Sequence, residues 1–217
     1  AKKTMYYEFE TRMKHKAGHW VWVYDKGKVL EWTEDGKPLM MYGTHQEITE
    51  RKQSQEMLTK LSTQFAHLTG KPFFDTVCRD AAEISGLDFV FVGELSEDGN
   101  SVSTLGGYAK GKSMERLTYN LKDTPCENVM GQQTHIYLKN IQKLFPKDFL
   151  LQEMMIEGYF GFPLFSKENK PVGILVGMDC KVLANTEKIE RLFSTYSDRV
   201  TAEMGRTKSE KVRKELV

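Results

Sequence analysis

The sequence predicts an α+β chain in which antiparallel sheets are flanked by helices. Three observations carry this expectation. Alternating and β-branched runs fill the segment before Gly43. A nearly continuous apolar run at Asp88–Leu95 has the character of a central strand covered on both faces, and Gly158–Phe165 and Pro171–Val182 are two more apolar strands. Ile189, Leu192, Phe193, Tyr196, Val200 and Met204 recur at helical intervals in a segment from Thr186 to about Leu216.

In chain order, Tyr6–Met13 alternates, and Lys16-Ala17-Gly18 makes a turn. His19–Tyr24 is an aromatic and β-branched strand, Asp25-Lys26-Gly27 a turn or bulge, and Val29–Trp32 the resumed strand. Glu34-Asp35-Gly36-Lys37 signals a hairpin before a last strand, Leu39–His45. Ile48, Leu58, Leu61, Phe65 and Leu68 then fall on one face of a connecting helix, with Thr49 as its N-cap and Gly70 and Pro72 beyond its end. Its apolar stripe is narrow, which suits a helix lying along a neighbour or pairing with its own copy.

Phe73–Ser85 is a helix stopped by Gly86. Strands are expected at Asp88–Leu95, Ser101–Tyr108 (with a bulge at Gly106-Gly107), Leu117–Leu121 and Thr134–Leu138. Thr124, Pro125 and Glu127 read as N-cap, first and third positions of a short helix. Asn140–Phe145 and Asp148–Glu157 are short helices split by Pro146.

Length and composition narrow the function. A chain of 217 residues holds one large or two small domains, and 40% hydrophobic content suffices for a core. A net charge of +1 provides no field that selects nucleic acid or anionic lipid. No run approaches the roughly eighteen apolar residues of a membrane span, so neither a nucleic-acid partner nor membrane contact is expected. Cys78, Cys126 and Cys180 are too scattered for a disulfide framework or a zinc site and fit a reducing cytoplasm. No signal peptide opens the chain, and both ends look like cuts through a longer protein.

Two resemblances follow from the motifs. Tyr7-Glu8-Phe9-Glu10, Gly18–Val23, Glu34–Pro38 and Gly43–Lys52 resemble the C-terminal half of a PAS domain, with Glu47 where that family usually has Asp. The helical half that completes a PAS ligand pocket is missing, so haem or flavin is not expected here. Phe89–Leu95, Thr124-Pro125-Cys126-Glu127-Asn128-Val129, Leu144–Asp148, Gly158–Leu164 and Pro171–Leu175 resemble a bacterial GAF domain of the Thr-Pro-Cys-Glu type. The resemblance lacks the Asn-Lys-Phe-Asp-Glu signature of cyclic-nucleotide binding and the Cys-His dipeptide of bilin attachment. It therefore names no cofactor.

These resemblances imply a PAS piece at residues 1–46, a connecting helix at 47–68, a GAF domain at 69–206 and the start of an outgoing helix at 207–217. They imply a sensory module that binds an unknown small molecule, or senses redox state, in a cavity between sheet and crossing helices. Phe91, Tyr108, Cys126, Val129, His135, Phe149, Met154, Tyr159 and Phe162 are the candidate site residues. The same side chains would equally serve as a filled core. A parallel homodimer through Ile48, Leu58, Leu61, Phe65, Ile189, Leu192, Tyr196 and Val200 would pass the signal to an output domain of the parent chain, a histidine kinase or a diguanylate cyclase. The connecting and outgoing helices are expected side by side on the sheet face opposite the cavity.

Other constellations have plain structural roles beside their chemical ones. Cys126, second in its short helix, would be favoured as thiolate by the helix dipole, and His135 nine residues on completes a conceptual Cys-His dyad without a third group. The plainer role for Cys126 is a small residue packed in a turn. His15 and His19 have metal-pair spacing only on a helix, and the strand signals place them across a turn. Gly106 to Ser113 has the glycine, lysine and serine spacing of a phosphate loop but lacks its strand-to-helix context, and it reads as a turn.

Overall fold

The structure, a computed structural model, describes residues 6–130 and 133–215; the side chains of Ser54, Met57, Leu58, residues 60–64 and Glu215 lie outside the description. The chain divides into two units, Ala1–Thr63 and Gln64–Val217.

The first unit is a three-stranded antiparallel sheet followed by a helix. Strands β1 (Tyr6–Lys14), β2 (Trp20–Trp32) and β3 (Pro38–Glu47) lie in that order, and α1 covers Thr49–Gln64. Among its described residues, Val21, Val23, Val29 and Ile48 are buried and apolar. The start of α1 is tied to β2: the Ile48 N–H donates to the Trp22 carbonyl at 2.8 Å. The Thr49 hydroxyl accepts from the Trp22 N–H at 2.9 Å. Arg51 and Lys52 both pair with Glu10 of β1, and the Lys52 ammonium stands 5.1 Å from the Trp22 ring centroid.

The expected break at Asp25-Lys26-Gly27 is not there. β2 runs through it without interruption, pairing Gly27 with Tyr7 on one side and with Gly43 on the other. The Tyr7 ring occupies the space where a side chain at Gly27 would stand, and the Lys26 carbonyl and the Tyr7 hydroxyl crowd the same space at Gly43. Gly27 is thus read correctly as special but for the wrong reason: it makes room for an aromatic ring rather than for a turn.

The second unit is built on an antiparallel sheet in the order β6-β5-β4-β10-β9-β8, with β7 pairing β5. The strands are β4 (Phe89–Leu95), β5 (Ser101–Ala109), β6 (Lys112–Ser113), β7 (Thr118–Asn120), β8 (His135–Tyr137), β9 (Gly158–Phe165) and β10 (Pro171–Asp179). Helices α2 (Lys71–Ser85) and α6 (Thr186–Glu215) share one sheet face, and α3 (Pro125–Val129), α4 (Ile141–Leu144) and α5 (Phe149–Glu153) belong to the other. β4 sits between β5 and β10 and alternates between the two layers: Phe89 and Phe91 towards the short helices, Val90 and Val92 towards the long ones. That alternation explains its unbroken apolar run. β5 carries its bulge at Leu105, where the register against β4 slips by one residue.

α2 begins after Gly70, whose φ is 61°, and ends at Gly86, whose left-handed φ of 80° lets its N–H close on Ala82. α6 buries Ile189, Leu192, Phe193, Tyr196, Val200 and Met204. Its helical partner on this sheet face within the second unit is α2.

The stripe assigned to dimerisation is corrected by this packing. Ile189, Leu192, Tyr196 and Val200 are core residues of the second unit, so they are not free to face another copy. Phe65 follows the end of α1 and is buried edge-on against Phe73 and Tyr196, at ring separations of 6.0 and 6.3 Å. Ile48 is buried in the first unit. Leu58 and Leu61 lie outside the described residues.

Candidate functional site

The layer between the sheet and the short helices contains one apolar cluster with a polar centre. Phe91, Cys126, Val129 and Tyr159 belong to it, together with Phe89, Leu121, Ile141, Leu151 and Ile156, and Met154 packs on its margin. Cys126 is second in α3, which Pro125 starts at a position where a missing N–H costs nothing. Thr124 stands at the N-cap, but its hydroxyl turns back and donates to the Leu121 carbonyl at 2.6 Å. Glu127 reaches back to the Asp123 N–H at 3.0 Å. This pins the loop before the helix and directs Cys126 inward.

The sulfur of Cys126 lies 3.1 Å from the Tyr119 hydroxyl and accepts from the Tyr159 hydroxyl at 3.2 Å. Cys126 is 4% exposed and Tyr159 1%. Burial pushes the thiol up to about 11, against the opposing pull of the two hydroxyls. Between the two roles open to Cys126, this burial goes with the plainer one, a small residue packed in a turn: desolvation outweighs the end of a five-residue helix. Burial and the neighbouring sulfur likewise raise both tyrosines well above their usual value. Asp148, half-buried at the N-cap of α5, is raised by burial as well.

His135 pairs with Gly161 across β8 and β9, and its ring stacks on Tyr137 at 6.4 Å. Tyr137 in turn accepts from the Asn128 side chain at 2.8 Å and packs edge-on to Phe145. His135 and Tyr137 thus form a margin to the cluster, and the partners of the Cys126 sulfur are tyrosines rather than His135. No activated nucleophile results.

Three candidate residues fall elsewhere. Phe149 is 75% exposed, on the outer side of α5. Tyr108 is the cross-strand neighbour of Val90, which puts it on the face of the long helices. Phe162 is the neighbour of Leu175 on that same face and lines a pocket of ≈ 330 Å³ with Ser197, Asp198 and Thr201. Phe162 is an odd number of residues from Tyr159, so strand alternation alone places them on opposite faces. Tyr119, Leu151 and Ile156 belong to the cluster region and were not singled out from the sequence. The alternation of Thr118–Asn120 offered a weak signal for Tyr119 only.

His15 and His19 stack at 4.5 Å across their turn. Among the described residues, no group of three or more His, Cys, Asp or Glu is disposed to hold a metal ion, and no helix is long and apolar enough to cross a membrane.

Comparison with known proteins agrees with this architecture. Residues 1–45 match the family described as PAS fold. No curated protein sequence matches the chain. Among solved structures, the chain is similar to the GAF domain of an Acinetobacter phosphoenolpyruvate-protein phosphotransferase, at 12% identity and a TM-score of 0.54, covering 75% of this chain and 96% of that one. It is similar to the phycocyanobilin-bound GAF domain of a cyanobacterial phytochrome, at 12% identity and a TM-score of 0.57, covering 72% and 96%. A third likeness is to the A. aeolicus nlh2 GAF domain in an inactive state, at 10% identity and a TM-score of 0.53, covering 72% and 98%. At such identities the likeness establishes the fold. The chain is α+β with a GAF fold, and the small N-terminal sheet fits a piece of a PAS domain.

Proposed function

We propose that this chain is a regulatory sensory piece of a bacterial signal-transduction protein. Residues 1–46 supply the closing strands of a PAS domain, 47–68 the connecting segment, 69–206 a GAF domain of the Thr-Pro-Cys-Glu type and 207–217 the start of an outgoing helix. The GAF part takes a small-molecule signal on its Cys126 side and relays it through α6 to an output domain of the parent chain, a histidine kinase or a diguanylate cyclase. The protein acts in the cytoplasm as a parallel homodimer.

The observation that carries this reading is the thiol–tyrosine group set in an otherwise apolar buried cluster. Apolar walls with a few convergent polar groups are what small-molecule sites require. The raised thiol supports ligand binding over thiolate redox chemistry. A relay is at hand in β9: Tyr159 faces Cys126, and the next residue, Phe160, meets Phe193 of α6 edge-on at 5.4 Å. A ligand that replaces the thiol–hydroxyl contacts moves β9 and therefore biases α6, provided it binds two arrangements with different affinity.

The close packing of Phe91, Cys126, Val129 and Tyr159 favours a second reading, a ligand-free dimerisation module. Thermal unfolding separates the two. A bound ligand at about 100 times its Kd adds about 2.7 kcal/mol. The purified chain should therefore melt above the same chain denatured, desalted and refolded, and a small-molecule extract of the expression host should restore the difference. Identical melting in all three samples supports the ligand-free module.

A further inference from the structure

The segment between α1 and α2 is fastened to α6 at both of its ends. At one end, Phe65 is buried edge-on against Tyr196, whose hydroxyl donates to Asp80 of α2. At the other, the Gly70 N–H donates to the Glu203 carboxylate at 2.6 Å. Glu203 is 2% exposed. Arg206 completes its coordination, with Nη2 at 2.6 Å and Nε at 2.8 Å. Tyr196 and Glu203 are seven residues apart, two turns along one face of α6, or roughly 10 Å.

Stability alone does not call for a carboxylate here. Burying a charge costs about as much as its pairing returns, and apolar residues of similar volume commonly do as well. What the carboxylate adds is register. A slip of α6 by one residue rotates Glu203 by roughly 100° and takes it away from the Gly70 N–H. Phe65 and Gly70 thus read two points of the same helical face.

We propose that residues 65–70 and α6 form one mechanical unit, with Glu203 as its latch, so that a displacement arriving through α1, which ends at Gln64, reaches α6 directly. This route runs over the long-helix side of the sheet. It does not pass through Cys126, so it stands or falls separately from ligand binding there.

Residue-resolved amide exchange on the full chain tests it. In Glu203→Gln, which keeps the side-chain size, the Gly70 amide and the amides of 203–207 should lose protection together, about tenfold or more, while β4 and β9 keep theirs. Phe65→Leu should lower protection at 203–207 reciprocally. If Glu203→Gln fails to fold, Arg206→Gln, at a partly exposed guanidinium, takes its place. Loss of protection in only one of the two segments, or an equal loss throughout the sheet, would overturn the proposal.

Discussion

Tyr159 directs its hydroxyl at the sulfur of Cys126, 3.2 Å away inside an apolar layer. The bond satisfies a buried donor that would otherwise be stranded. Replacing Tyr159 by Phe removes it with little change of shape and should lower stability by about 0.5–1.5 kcal/mol, read by urea unfolding. The same burial governs reactivity. In the native chain at pH 8, iodoacetamide should modify the half-buried Cys180 first and Cys126 and Cys78 only as the chain opens; rapid native labelling of Cys126 would contradict the assigned burial.

Cys126 also gives stability an alkaline limb. Its folded pKa is raised from 9.0 to about 11. A raised value means that the contribution is complete below the unfolded pKa and is lost as pH climbs towards the folded one. Between about pH 9 and about pH 10 the unfolding free energy should fall by up to about 1.4 kcal/mol per pH unit for this group. Cys78 and Cys180 shift in the same direction, so Cys126→Ala should keep part of the slope and lose one group's share. An unchanged slope in the variant would count against the assignment.

Leu192 tests the corrected role of the α6 stripe. It is a core residue under the sheet, so Leu192→Ala should cost about 2–5 kcal/mol. Analytical ultracentrifugation should find the oligomeric state of the folded variant unaltered. Dissociation without loss of stability would restore the dimer-face reading.

How far the sequence could reach is clear from particular residues. The apolar runs of β4, β9 and β10 and the stripe of α6 were legible because burial on a regular period leaves a regular trace. What those faces meet left no such trace. The stripe of α6 looks the same whether it packs on its own sheet or on another copy. Tyr108 and Phe162 were placed on the wrong face because likeness to a family says which strands line a cavity, whereas side-chain parity and the Leu105 bulge decide which residues do. Glu203 left a faint mark: it follows Val200 by three residues and so lies on the apolar stripe, an unusual place for a solvated carboxylate.

Gly27 gives a test within the first unit. A Cβ there falls on the Tyr7 ring. Gly27→Ala should displace that ring and cost about 1–3 kcal/mol through overpacking, seen as increased exchange of the β1 and β2 amides. Unchanged stability and unchanged exchange in this variant would contradict the close contact of Gly27 with the Tyr7 ring.

The central claim is that the Cys126 side of the GAF fold takes a small molecule. Native mass spectrometry of the freshly purified chain, repeated after denaturation, addresses it most directly. The sensor account expects a discrete mass excess under native conditions that vanishes on denaturation and is absent from a variant with the site filled, Val129→Phe. A bare mass in the native spectrum, unchanged after soaking in the small-molecule extract, would contradict it.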